Sequence, residues 1–288
     1  MDLQYPLVHI DDVEPRAQAL DEGWATSEFR IPISAACGSP TVAFHSIFRP
    51  GSKHAKHIHR NCDEVTIYLS GHGVTGIDGD TADVRPGHCR VAPRGSEHFF
   101  FNESGDEARD EECLVVGFYM GAADVDATGY EFRGDVTGAD LEKPRGNLNN
   151  GIMVHLDEVR PADMAAGDGW LISDFRMPIG RHVGYSSTLF RARFLPGAVH
   201  KKHRHQNCDE IYYVISGHGL AGAGDDRVEV RGGHFHYIPK GVEHWLYNLS
   251  DGVPLEVAGV YIDAGNVEET GYVYLGDVTE ADIKARTG

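Results

Sequence analysis

Three histidines and one glutamate in the second half of the chain stand at a spacing that metal chemistry uses: His203, His205, Glu210 and His244. Neutral imidazole nitrogens and a carboxylate oxygen are a good ligand set for a divalent transition ion. His203 and His205 are two apart, so on a β-strand both side chains point to one face. Glu210 lies an odd number of residues from His205, so a turn must separate them. Gln206-Asn207-Cys208-Asp209 has turn composition. His244 follows Pro239-Lys240-Gly241, a second turn signal, and opens another strand. The spacing predicts three neighbouring strands that direct four ligands into one interior, the mouth of a barrel.

The same letters occur 146 positions earlier, as His57, His59, Glu64 and His98. Aligned without gaps, residues 51–102 and 197–248 are identical at 24 of 52 positions. Unrelated segments match at only a handful, so the chain contains an internal duplication. Both ligand sets are complete, which sets the capacity at up to two metals per chain.

Both copies fit the pattern G-x5-H-x-H-x4-E-x6-G followed by G-x5-P-x-G-x2-H-x3-N. Copy one fills it with Gly51, His57, His59, Glu64, Gly71, Gly87, Pro93, Gly95, His98 and Asn102. Copy two fills it with Gly197, His203, His205, Glu210, Gly217, Gly233, Pro239, Gly241, His244 and Asn248. The chain thereby resembles the cupin superfamily, as a bicupin. The resemblance implies an all-β fold of two tandem jelly-roll β-barrels (the double-stranded β-helix) with a few short helices. The expected domains are 1–146 and 147–288. It also implies metal at both histidine clusters, with Fe(II) or Mn(II) favoured and Ni, Zn or Cu also suited to the ligands.

The superfamily hosts many chemistries, so the reaction must be argued from the site. Four protein ligands on an octahedral ion leave two positions open, a catalytic arrangement. The favoured expectation is a dioxygenase acting on a small enol, diol or aromatic substrate. The alternatives are a redox-neutral lyase, decarboxylase or isomerase using Mn, Ni or Zn as Lewis acid, and a non-catalytic small-molecule or metal-binding protein.

The elements that position these ligands follow from the flanking sequence. FRIPI (29–33) and FRMPI (175–179) read as edge strands, because proline is tolerated there and not in a sheet centre. Residues 41–49 and 187–195 alternate as strands do and run into Pro-Gly turns. Trp24 and Trp170 read as core anchors. The acidic stretch 103–112 reads as a solvated loop. Thr279-x-x-Asp282 reads as the N-cap of a short terminal helix.

Residues in phase with the ligands should complete the pocket, and there the copies differ. Copy two offers Tyr212, Arg193 and His236 as catalytic candidates and copy one the less directed set Thr66, Ile47 and Arg90, so the C-terminal barrel is expected to carry the reaction. An arginine in an apolar barrel would need an anion, so the substrate is expected to be small and anionic. The other reading places Arg191 and Arg193 on the outer face in salt bridges. His54 and His200 have the opposite parity from the ligands and are expected to face outward. Cys62 and Cys208 read as small buried turn residues rather than ligands.

Composition limits the partners. The formal charge of −18 argues against nucleic acid and anionic membrane. The chain has no apolar run long enough to span a bilayer. Five cysteines and no secretory pattern at the start point to a reduced, cytoplasmic setting. Expected partners are a small-molecule substrate and a further copy of the chain in a homo-oligomer.

Overall fold

Short alternating segments punctuated by Gly-Asp and Pro-Gly turns cannot build long helices, and they fold as antiparallel sheets. A computed structural model describes residues 3–17, 23–104, 112–164 and 169–285. Most of the acidic stretch 103–112 lies outside the described residues. No helix among the described residues is long and apolar enough to cross a membrane.

The chain forms two compact units. In the unit Val13–Glu158, one sheet runs in the order Ile152–His155, His88–Ala92, Asp63–Tyr68, Cys113–Met120, Val42–Phe48, Glu28–Ile33. Its companion sheet runs Tyr130–Gly134, Lys53–His59, His98–Phe101, Gly73–Ile77, Asp80–Val84, with Trp24–Ala25 also on Lys53–His59. The second unit repeats this plan strand for strand, with Leu7–His9 at the end that Ile152–His155 occupies in the first. The proline-bearing strands Glu28–Ile33 and Asp174–Ile179 do lie at sheet edges. The terminal helix Glu280–Lys284 carries the expected Thr279–Asp282 capping box.

The units differ from the expected division at 146/147. Residues up to Asp12 belong with Val159 onward, and the segment as far as Glu158 belongs with the first barrel. The cause is strand pairing. Val8 of the first lead-in sits opposite Phe235, and Val154 of the second sits opposite Cys89. Each lead-in thus completes the barrel of the other repeat, burying backbone groups that a sheet edge would expose.

Aromatic side chains fill each barrel. Phe29, Phe44, Phe48, Tyr68, Phe100 and Tyr119 belong to the first core. Phe175, Phe190, Phe194, Tyr212 and Tyr261 belong to the second. The Phe44 ring packs against Gly117, where a Cβ would come within 2.1 Å of it, so that position admits only glycine.

Candidate metal centres

His57 and His59 sit on Lys53–His59, and His98 opens the neighbouring strand, directly opposite His57. Glu64 comes from Asp63–Tyr68 in the companion sheet. The expected three neighbouring strands are therefore two neighbours in one sheet and one strand from the other. The tight turn after His59 carries the chain across, which is why Glu64 need not keep the histidines' phase. The second unit does the same with His203, His205, His244 and Glu210. In each set, one ligand-type atom per residue lies within 4.8 Å of the others, and all four residues are buried.

Local hydrogen bonds select the imidazole tautomers. The Nδ1 of His57 donates to the Ala55 carbonyl at 2.7 Å, and that of His98 to the Ser96 carbonyl at 3.0 Å. His203 and His244 use the carbonyls of Lys201 and Val242 in the same way, at 2.6 and 3.0 Å. That leaves each Nε2 lone pair facing the cluster. The Nε2 atoms of His57, His59, His98 and His203 are buried without a hydrogen-bond partner. In the second cluster Glu210 Oε2 lies 3.1 Å from His205 Nε2 and 3.2 Å from His244 Nε2. Buried nitrogens aimed at one carboxylate fit a divalent transition ion, and no other described group satisfies them.

Protonation states agree. Burial pushes His57 and His203 well below the ordinary imidazole range, and lowers His59 and His205 as well. Burial alone would raise the Glu64 carboxyl, but the Arg90 guanidinium, then His98 and His59, outweigh it and hold it well below the usual carboxylate range. Burial opposes ionisation of Glu210 too, and the close approach of His205 and His244 outweighs it and holds the carboxyl well below the usual range. Neutral imidazole beside ionised carboxylate is the state that binds metal.

The three catalytic candidates have different fates. Tyr212 is buried, lines the second pocket and shares a 2.8 Å hydrogen bond with His236 Nδ1. Burial pushes His236 down to about 3, so its ring is uncharged at neutral pH. Arg193 is not in the pocket. Its side chain is 44% exposed and pairs with Glu256, while Arg191 pairs with Asp174 and Glu256 on the same outer face. Phe190, Ala192 and Phe194 take the inward positions of that strand instead, so the expected phase was off by one residue.

The buried arginine belongs to the other barrel. Arg90, 2% exposed, lines the first pocket with Ser46, Thr66 and Tyr68. One of its Nη atoms bonds Glu64 and the other bonds Thr75 Oγ1 and the Phe99 carbonyl, leaving its Nε without a partner. The equivalent position in the second barrel is His236, and Ser46 and Tyr68 correspond to Ala192 and Val214.

His54 and His200 also line the pockets, against the parity expected of them. His54 and His57 face Phe100 and His98, so three residue steps on one strand oppose two on its neighbour. The extra residue is a β-bulge, and it turns His54 to the ligand side. His200 and His203 face Leu246 and His244 in the same way. The His54 ring stacks on His57 at 3.8 Å and packs on Trp24 at 4.1 Å; His200 lies between His203 and Trp170 at 3.7 and 3.9 Å. The tryptophans thus back the ligand histidines as well as the core. Cys62 and Cys208 are buried turn residues, with the Cys62 thiol pushed up to about 12 by burial.

Comparison with known proteins fits this geometry. The cupin domain model matches residues 44–110 and 190–262, one stretch in each repeat. An uncharacterized protein of Methanocaldococcus jannaschii is 29% identical over 106 residues, covering 37% of this chain and 82% of that protein. Among solved structures, oxalate decarboxylase of Lactobacillus farciminis in a formate complex matches with a TM-score of 0.70 at 15% identity, covering 96% of this chain and 90% of that one. Oxalate decarboxylase of Bacillus subtilis, solved in work on its Mn(II) centres, matches with a TM-score of 0.70 at 15% identity, over 99% of this chain and 84% of that one. With both motif sets filled, a family match in each repeat and the tandem-barrel fold in common, the chain belongs to the cupin superfamily as a bicupin.

Proposed function

We propose that the protein is a metal-dependent, redox-neutral decarboxylase of a small dicarboxylate, working in the N-terminal barrel. The observation that carries this is Arg90, a guanidinium held inside the pocket against the ligand carboxylate. A buried cation next to a metal cluster favours an anion over a neutral diol or aromatic ring. The fold shared with oxalate decarboxylases supports the lyase reading over the dioxygenase reading.

His57, His59, Glu64 and His98 would hold the ion, with Mn(II) favoured by the B. subtilis relative's Mn(II) centres. The ion would act as a Lewis acid for carboxylate oxygens and for charge developing on the carbon that loses CO2. Arg90 Nε, the atom left unpartnered, is a fixed donor for the substrate anion. Thr75 and the Phe99 carbonyl hold its other end, so the guanidinium is oriented in advance. Phe29, Phe44, Phe48 and Phe100 exclude water from the reacting carbon. The C–C bond breaks, CO2 leaves, and the electron pair left on carbon takes a proton, with no net oxidation.

The test is product analysis of the Mn-loaded protein with oxalate and malonate. Equal amounts of CO2 and the corresponding monocarboxylate are expected. Conversion of enols or catechols with none of either dicarboxylate would reverse the choice between the two readings.

A further inference from the structure

The two ligand sets match residue for residue, but the charge around them does not. In the N-terminal pocket Glu64 is joined by the buried Arg90. In the C-terminal pocket the described lining residues include no arginine or lysine, and the side chains beside Glu210 Oε2 are the neutral rings of His205 and His244 at 3.1 and 3.2 Å. A divalent ion at each cluster would leave the first site doubly positive and the second singly positive. Net charge in a low-dielectric interior is costly, so each site favours the ligand charge that cancels its own.

The walls differ in the same direction. Thr26, Ser46, Tyr68 and Arg90 of the first pocket are Ile172, Ala192, Val214 and His236 in the second barrel. Phe175, Phe190, Phe194, Leu246 and Val257 complete a mostly apolar lining there. The polar handle is the Tyr212 hydroxyl, held by His236.

We propose that the C-terminal barrel is a second ligand site, specific for a monoanion with an apolar body, such as a small branched monocarboxylate. The carboxylate would complete the metal's coordination, and the alkyl group would lie against Phe190, Ala192 and Phe194. The N-terminal site prefers a dianion, and the chain therefore carries two sites of one ancestry and opposite preference. This rests on the proposed reading only in requiring metal at each cluster.

The test titrates two probes, oxalate and isobutyrate, into metal-loaded full-length variants by calorimetry. His203→Ala keeps the N-terminal site and His57→Ala keeps the C-terminal one. Oxalate chelates any divalent ion more strongly than a monocarboxylate does, so the informative quantity is the ratio of the two affinities, compared between sites. The oxalate-to-isobutyrate ratio is expected to be at least about tenfold higher in His203→Ala than in His57→Ala. Ratios equal within about threefold, or the reverse order, overturn the proposal. Trp24→Phe provides a check with both clusters intact. It leaves Trp170 and Trp245 as the only indoles, both in the C-terminal barrel. Isobutyrate must change their emission, also after Arg90→Gln is added, and an unchanged spectrum overturns the proposal. Loss of oxalate turnover with the affinity difference intact would sink the proposed activity and leave this inference standing.

Discussion

At the scale of single residues, the types and spacing of the ligands carried most of the site. His57, His59, Glu64 and His98, and their partners 146 residues on, come together as the spacing requires. The pocket's other groups were harder to read. For Arg191 and Arg193 the sequence left two readings, inward or outer-face salt bridges, and the second holds because Phe190 and Phe194 take the inward positions. Arg90 faces inward opposite Thr66, a pairing no local pattern announces. Two outcomes follow. Arg90→Gln should retain metal but raise the KM for the dicarboxylate by about tenfold or more, with Arg90→Lys intermediate, since loss of one charge-assisted contact costs about 1.5–3 kcal/mol. Steady-state kinetics with metal analysis of each variant decides it. His203→Ala should lower metal content from two ions to one per chain and leave the N-terminal turnover largely intact; a variant that still holds two ions refutes the ligand assignment.

At the scale of elements, what the sequence could not show was pairing between distant segments. Strand alternation and the edge prolines located Glu28–Ile33 and Asp174–Ile179 well. A bulge, by contrast, is a one-residue mismatch between two strands, and only the partner reveals it. That is how His54 and His200 escaped notice as pocket residues. The exchanged lead-ins are equally non-local, since Leu7–His9 pairs with a strand more than two hundred residues away. Removing residues 1–12 should therefore weaken the unit that begins at Val159, not the unit that begins at Val13. The lost ladder hydrogen bonds are worth about 1 kcal/mol each. Native-state hydrogen exchange should show faster opening at His234–Ile238 and no change at His88–Ala92. Equal loss in both would contradict the pairing.

At the scale of the whole molecule, the buried histidines tie stability to pH. His54, His57, His59, His200, His203, His205 and His236 are all lowered by burial. Above pH of about 6.5 they are neutral whether folded or unfolded, and their contribution is fully present. As pH falls below that value the unfolded chain takes up protons that the folded chain refuses. Stability then drops by up to about 1.4 kcal/mol per pH unit for each histidine until its folded pKa is reached. Urea unfolding of metal-free protein at pH 7.5, 6 and 5 should show this loss beginning well above the carboxylate range, and a flat profile to pH 5 would refute it. The central claim is decarboxylation without oxidation at the Arg90 site, and it is tested most directly by carbon and oxygen balance in a closed vessel. With Mn-loaded protein and oxalate, one CO2 and one formate should appear per oxalate, with no net O2 uptake, and Arg90→Gln should suppress both products together. O2 consumed mole for mole with substrate, or full activity after Arg90→Gln, would contradict it.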